Sequence, residues 1–594
     1  MAPAARVDGE QGAGAAVTEV YCDTWLPPTS RRRRGRSEPC PRDRESAGDC
    51  IAAVAGLHSG PEMRRAALVV ISGWVVAVAP TVRGGGADAA SGLERRIRAL
   101  VAAYGVDPSL VGVAVLDESG QPRALLEADT PLKPASNLKV LTTAAGWALL
   151  GPGRRASRRV FAPAPVPVPA PVPEHEYLTR LVASAPLGAG VVAGDLIVEG
   201  RGDPNISGRF HEDDPLAVFR TWARQLRRAG LRKIAGDFIA DDSYFDAERF
   251  LPGWNRRNEG RWFSAEISPL SFEDNCVTVR VHPTAPGQPA RVEVTPASPF
   301  VTVVGAPRTV AGRSASVRVH RAEGENRVTV SGNIGDRVSN WYDHVAVVDP
   351  SLFFVHTLAA ELAREGIVIG GRVRRIAPSD ARTEALVAGG RGEVLLEHRS
   401  RLGLDLPVIN KRSQNLHAEI LLKTIGREVS GEGSVAGGAQ AIRRFVASLG
   451  VDTTGLVIAD GSGLSADNRV SARQLAMTLW AVSSRPGFAA FLESLPVAGV
   501  DGTLEDRFSQ YPELVGAVRA KTGFIDSVSA LSGFVERDGR RWSFAILVNR
   551  FTGDGLSAAK RLQESIVARI HDVMGEAGAT AGSTPAQCPE AGGR

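Results

Sequence analysis

Between Pro131 and Leu150 the chain has few ways to fold. Pro134 and the small residues after it open a helix, and Leu138, Leu141, Thr142 and Ala145 recur at helical spacing, so the helix is expected to be buried. Ser136 falls in its first turn. Lys139 follows three residues on, along the same face, where its amine can reach the hydroxyl. A serine hydroxyl is a weak nucleophile until a base takes its proton, and a lysine can do so only as the neutral amine. Burial, the positive end of the helix and any second cation nearby all lower a lysine pKa. The stretch therefore suits a serine nucleophile with a lysine base.

Spacing alone does not decide this, because a helix cap beside a surface lysine gives the same pattern, and Ser557 with Lys560 repeats it. Two later segments do decide it. Ser413-Gln414-Asn415 opens an apolar helix, and Lys521-Thr522-Gly523 leads into the strand-like run Phe524 to Val535. In that order these resemble the Ser-x-x-Lys, Ser-x-Asn and Lys-Thr-Gly elements of the penicillin-recognising acyl-serine enzymes. The decoys fail the same ordering. Ser331-Gly332-Asn333 sits in a turn between strands, and nothing follows Ser557 that could serve as a second or third element.

The three elements make one acyl-transfer site. Backbone N–H groups of Ser136 and Phe524 are the expected oxyanion donors. Ser413 can relay a proton to a leaving amine, and Asn415 can hold the substrate backbone. Lys521 and Thr522 offer a cation and a hydroxyl to a terminal carboxylate, while Gly523 leaves room along the strand edge.

Composition narrows the alternatives. The chain has 594 residues and a net charge of +5, with 64 glycines and 37 prolines. It is long enough for several domains joined by loops. Much of the basic excess is local to Arg31–Arg36, which speaks against a nucleic-acid partner for the body. Cys22, Cys40 and Cys50 precede residue 63 and only Cys276 and Cys588 follow, so a disulfide framework is not expected. The histidines are scattered, with neither His-Glu-x-x-His nor Cys-x-x-Cys, so no metal and no cofactor is expected.

Taken in order, residues 1–62 read as a disordered basic extension. Met63-Arg64-Arg65, the apolar run Ala66 to Ala79 and small residues through Ser91 have the layout of a secretory signal or signal anchor over 63–91, with translation starting at Met63 as the working hypothesis. The run is short for a membrane span, and an uncleaved anchor would be the single membrane attachment. The protein is accordingly expected outside the cytoplasm, in the periplasm or on the extracellular face of the membrane or wall. A catalytic domain then begins over 92–160, with a helix Leu93 to Ala103 and a strand pair, Val111 to Asp117 and Ala124 to Glu127. An insert follows over 161–282, entered through the alternating prolines of 162–173. A small β-rich domain over 283–340 is nested in it, and 341–385 complete the insert. The catalytic domain resumes over 386–575, with helices near 405–424, 437–448, 471–484 and 558–574, and 576–594 form a disordered tail. The expected fold class is an α/β serine β-lactamase-like domain, an antiparallel sheet flanked by helices, interrupted by a large β-rich two-part insert. Lengthening a loop costs little entropy, so such an interruption is tolerated.

Beyond the three elements, the chain resembles the low-molecular-mass class C penicillin-binding proteins, the D-alanyl-D-alanine carboxypeptidases and endopeptidases of the bacterial wall. The likeness runs over about 92–572 and includes Gly194-Asp195-Leu196, Gly202-Asp203-Pro204, Ala235-Gly236-Asp237, Asp460-Gly461-Ser462-Gly463-Leu464-Ser465, Leu495 to Leu504 and Leu531-Ser532-Gly533-Phe534. It implies hydrolysis of D-Ala-D-Ala termini or cross-bridges of peptidoglycan stem peptides, and acylation by β-lactam antibiotics. Lys411 matches a family lysine beside the active serine, which would help depress the pKa of Lys139. The chain departs from the family pattern at Gln414 and at Phe524, whose bulk narrows the cleft. Trp254, Arg257 and Trp262 align with residues that read a substrate ammonium in relatives; Arg257 replaces an acid there and favours a carboxylate or amidated side chain. Two competing readings are a muropeptide-binding scaffold without activity and a β-lactamase or esterase using the same serine.

Overall fold

A computed structural model describes residues 86–151, 174–376, 392–551 and 555–581. The expected extension over 1–62, most of the 63–91 leader, the proline-rich 162–173 stretch and the end of the tail lie outside the described residues. Among the described residues, no helix is long and apolar enough to cross a membrane.

The catalytic part is one antiparallel sheet of five strands: β1 (Val111–Leu116), β2 (Pro122–Leu126), β3 (Val518–Ile525), β4 (Val528–Arg537) and β5 (Arg540–Asn549). Their order across the sheet is β2-β1-β5-β4-β3, so the first two strands join the last three through β1 and β5. Residues of β1, β4 and β5 are apolar on both faces because both faces are covered. One face packs on α1 (Gly86–Ala103) and the C-terminal helix α6 (Gly555–Ala581) through Leu93, Ile97, Val101, Leu562 and Ile566. The other packs on α2 (Leu138–Leu149), α3 (Leu402–Lys411), α4 (Asn415–Ile425) and α5 (Ala472–Ser483), where Leu141, Trp147, Ile409, Leu421 and Leu475 share one core. The fold is thus the expected antiparallel sheet flanked by helices on both faces and interrupted by a large insert. Helix α1 starts at Gly86, ahead of the expected Leu93.

The inserted chain builds two sheets and a β-rich appendage. The five-stranded sheet has the order Val373–Arg375, Phe238–Asp241, Leu196–Gly200, Glu176–Ala183, Glu393–Arg401. Its last strand lies beyond residue 385, so the returning chain passes through the insert once more before α3. Amphipathic helix Ala217–Arg228 and helix Pro350–Arg364 cover it, packing Phe219 and Trp222 against Phe272 and Phe354. Cys276–His282 pairs with Arg291–Thr295 and Trp341–Ala346 at the base of the appendage.

One expected element is broken. The helix expected over 405–424 is split at Arg412–Gln414, where Ser413 has φ +56. That left-handed backbone ends α3 and starts α4 with Gln414 as its cap. In the insert, Gly194 and Asp195 separate the short strand Val191–Val192 from Leu196–Gly200.

Candidate active site

Ser136 lies on a 3₁₀ turn, Ala135–Asn137, that runs directly into α2. Ala135 has φ +48, a strained conformation that presents the next residue at the helix entrance. Two glycines let neighbouring chain segments approach this turn. A side chain at Gly523 of β3 would stand 2.9 Å from the Pro134 carbonyl oxygen and 3.0 Å from the Asn137 nitrogen. At Gly463, φ +84, it would collide with the Ala135 carbonyl. Asn137 ties the turn to the sheet: its amide donates to the Lys521 carbonyl at 3.0 Å and accepts from the Ser532 hydroxyl.

Lys139 is fully buried, and its amine has three oxygen neighbours: Ser136 Oγ at 2.9 Å, Asn415 Oδ1 at 2.6 Å and the Ser462 carbonyl at 2.8 Å. The last two can only accept, since Asn415 turns its Nδ2 to the Phe263 carbonyl at 2.7 Å. A neutral amine has two N–H groups for those acceptors and one lone pair, which is left for the Ser136 hydroxyl. Burial lowers the Lys139 pKa to about 7, against the opposing pull of Glu419 and Asp460.

The other two sequence elements meet the same crevice. Ser413 Oγ accepts from the Lys521 amine at 2.8 Å, and that amine also donates to the Thr522 carbonyl at 2.8 Å. Lys521 is buried, and burial together with Lys139 drives its pKa well below the ordinary lysine value. The Thr522 hydroxyl donates to Thr503 at 2.7 Å. Ala520 N–H leaves the outer edge of β3 toward the Pro496 carbonyl, and the two-residue period sends Phe524 N–H off the same edge. Ser557 is on the exposed side of α6, far along the chain from this cluster, and Ser331-Gly332-Asn333 links two strands of the appendage through Gly332 at φ +99.

Lys411 differs from its expected role. Its amine is taken by Asp501 at 2.5 Å, and burial lowers the Lys139 pKa without it. The acid of the Leu495–Leu504 segment thus neutralises Lys411, while Thr503 of the same segment engages Thr522. Trp254 is also turned away: it is 4% exposed and donates from Nε1 to Asp460 Oδ2 at 3.1 Å. Arg257 is exposed on the 3₁₀ turn Arg256–Asn258, and Trp262 is half-buried beside Phe263.

Sequence reasoning assigned no role to the supports of Lys139. Glu419 accepts from the backbone N–H groups of Gly461 and Ser462 at 2.7 and 2.8 Å, and Asp460 accepts from Gly463 at 2.7 Å, Ser465 at 2.6 Å and Asn468 at 2.8 Å. These two acidic side chains fold the 460–468 loop so that the Ser462 carbonyl faces the amine. Burial and the neighbouring Asp460 raise the Glu419 pKa to about 8. An acid in the middle of apolar α4 was the available signal.

Among the described residues no cluster of His, Cys, Asp and Glu could hold a metal ion. Sheet, helical layers and a buried lysine on the serine of Ser-x-x-Lys define a penicillin-binding protein of the serine peptidase class. Comparison with known proteins then fixes the family. The chain belongs to the D-Ala-D-Ala carboxypeptidase 3 (S13) family, whose model matches residues 172–572, and it is a serine-type carboxypeptidase. It is 32% identical over 508 residues to a D-alanyl-D-alanine carboxypeptidase of Actinomadura sp. strain R39, covering 82% of this chain and 87% of that protein. A second relative, the D-alanyl-D-alanine carboxypeptidase DacB of Haemophilus influenzae, is 26% identical over 400 residues, 65% of this chain and 79% of its own length. Among solved structures, penicillin-binding protein 4 of Haemophilus influenzae superposes with a TM-score of 0.63 at 21% identity, covering 81% of this chain and 99% of that one.

Proposed function

We propose that this chain is an exported DD-peptidase that cleaves D-Ala-D-Ala termini or cross-bridges of peptidoglycan stem peptides through an ester on Ser136, and that β-lactams acylate the same oxygen. Ser136 Oγ adds to the carbonyl carbon as Lys139 takes its proton. The N–H groups of Ser136 and Phe524 hold the oxyanion. Collapse breaks the C–N bond as the Lys139 proton passes through the Ser413 hydroxyl to the departing amine, which leaves Lys139 neutral and Ser413 protonated. Water then adds to the ester and gives its proton to Lys139, and the acyl–oxygen bond breaks as Lys139 returns that proton to Ser136 Oγ and the acid is released. Asn415 holds the substrate backbone, Lys521 and Thr522 receive its terminal carboxylate, and Gly523 keeps the strand edge open.

The observation that carries this reading is the buried Lys139 amine, 2.9 Å from Ser136 Oγ with its other two neighbours restricted to accepting. Release of D-Ala from diacetyl-Lys-D-Ala-D-Ala, with Ser136→Ala as control, tests it. Release that depends on Ser136 is the expected result. No release and no penicillin binding would favour a muropeptide-binding scaffold, and rapid penicillin turnover would favour a β-lactamase. Exposed Arg257, where relatives carry an acid, supports a preference for stem peptides with a carboxylate or amide on the third side chain.

A further inference from the structure

Directly behind the second sequence element lies a buried chain of charges that links the insert to the catalytic helices. His417, in the first turn of α4, is fully buried. Its Nδ1 faces Asp405 Oδ1 of α3 at 2.5 Å and its Nε2 faces Asp274 Oδ1 of the insert at 3.0 Å. Asp405 also accepts from the Tyr177 hydroxyl at 2.8 Å, and Asp274 Oδ2 accepts from Arg209 Nη2 at 2.6 Å. Asp274 Oδ2 accepts as well from Gln414 Nε2 at 2.7 Å, while Gln414 caps α4 through Leu416 N–H at 3.2 Å. Gln414 is the middle residue between Ser413 and Asn415. Asp274 reaches it from a strained backbone, three successive non-glycine residues, Glu273, Asp274 and Asn275, all with φ between +50 and +55.

We propose that His417 is held as an imidazolium between Asp274 and Asp405, and that this pair of contacts makes His417 and Asp274 positioning residues for Ser413 and Asn415. The proposal rests on the role given above to those two residues.

The donor inventory requires it. A neutral imidazole has one N–H and one lone pair, and an ionised carboxylate only accepts. Each ring nitrogen lies nearest a carboxylate oxygen, at 2.5 and 3.0 Å, and so donates to it; Arg209 Nη1, the one donor facing Nε2, stands farther off at 3.5 Å. The charges agree: Arg209 and His417 balance Asp274 and Asp405, and loss of the imidazole proton would leave one uncompensated negative charge in a dry site. Helix position argues the other way, because a cation in the first turn opposes the dipole of α4, so the two carboxylates must outweigh it. Arg209 and His417 hold Asp274 far below the usual carboxylate range, and the two carboxylates raise the His417 pKa against its burial. The other charges around the ring are Glu273 beside Asp274 and Arg412, half-buried next to Ser413. The insert, in this arrangement, fixes the angle at which α4 presents Asn415 to Lys139.

The test uses the full chain with 15N-labelled histidine, the His417 signals being assigned by their loss in His417→Gln. A long-range 1H–15N spectrum near neutral pH is expected to show both nitrogens protonated; one protonated nitrogen would overturn the proposal. In a second measurement, Asp274→Asn is expected to slow acylation by a fluorescent penicillin about tenfold or more and to change its alkaline pH dependence. A folded Asp274→Asn protein with the parent rate and profile would also overturn it. The histidine spectrum is read without catalysis, so an inactive parent protein would count against the proposed function and leave this inference standing on its own result.

Discussion

The side-chain oxygen of Asn415 stands 2.6 Å from the Lys139 amine, and the nitrogen of the same amide donates to Phe263 in the insert. One amide therefore connects the base, 276 residues before it, to the inserted module, whose Phe263 lies 152 residues before it. Because Asn415 is an acceptor without charge, it orients the amine while favouring the ammonium less than a carboxylate in its place would.

Acylation should consequently rise with pH through about 7 as Lys139 loses its proton, and then level. Asn415→Asp places a carboxylate against the amine, favours the ammonium and should move that rise to higher pH. Single-turnover labelling by a fluorescent penicillin across a pH series measures both. A parent profile without a rise near 7 would mean that the amine is not the base.

Lys521 and Lys139 are both buried, and burial together with Lys139 disfavours the charge on Lys521. A ligand carboxylate arriving at Lys521 reverses that preference, so binding of a D-Ala-terminated peptide to Ser136→Ala should take up a proton. Calorimetric titration in buffers of different ionisation heat reads the uptake directly. Binding heats independent of the buffer would show that Lys521 is charged before the ligand arrives.

Close approach at the nucleophile depends on two glycines, unequally. Gly523→Ala meets the Pro134 oxygen and Asn137 nitrogen at 2.9 and 3.0 Å and should cost about 1–3 kcal/mol as β3 shifts. Gly463→Ala adds a positive φ to a direct collision with the Ala135 backbone and should cost more. Denaturant midpoints of the two variants order them, and the reverse order would contradict the packing described.

Glu419 contributes a pH dependence of opposite sign to an ordinary paired acid. Its folded pKa, about 8, is raised above the ordinary 4.5. Between these values the folded protein keeps a proton that the unfolded chain has lost, so stability falls as pH rises through the window. Glu419→Gln removes this dependence while costing one backbone hydrogen bond at every pH. Urea unfolding of both proteins should therefore show the parent losing its advantage by on the order of a few kcal/mol toward pH 8. A constant difference across the window would place the Glu419 proton elsewhere.

The order of the sequence elements, the apolar α2 and the sheet strands were legible because each rests on short-range spacing. The long-range supports were not. Asp460 and Glu419 act through backbone N–H groups of a loop, and no spacing shows which carbonyl such a loop turns toward Lys139. Ser413 broke an expected continuous helix because the sequence around it stays apolar at helical period while its own backbone turns left-handed. Lys411 and Trp254 were read for function by their place in a pattern, and each is taken by an acid, Asp501 or Asp460, that lies far along the chain. His417 passed unnoticed in an apolar helix, since only the tertiary fold brings Asp274 and Asp405 to its two nitrogens.

Mass mapping of the adduct formed with benzylpenicillin tests the central claim most directly. The predicted result is one penicilloyl group per chain, on the peptide that contains Ser136, absent in Ser136→Ala and kept in Ser557→Ala. An adduct on Ser413 or Ser557, or one that survives Ser136→Ala, would contradict the account.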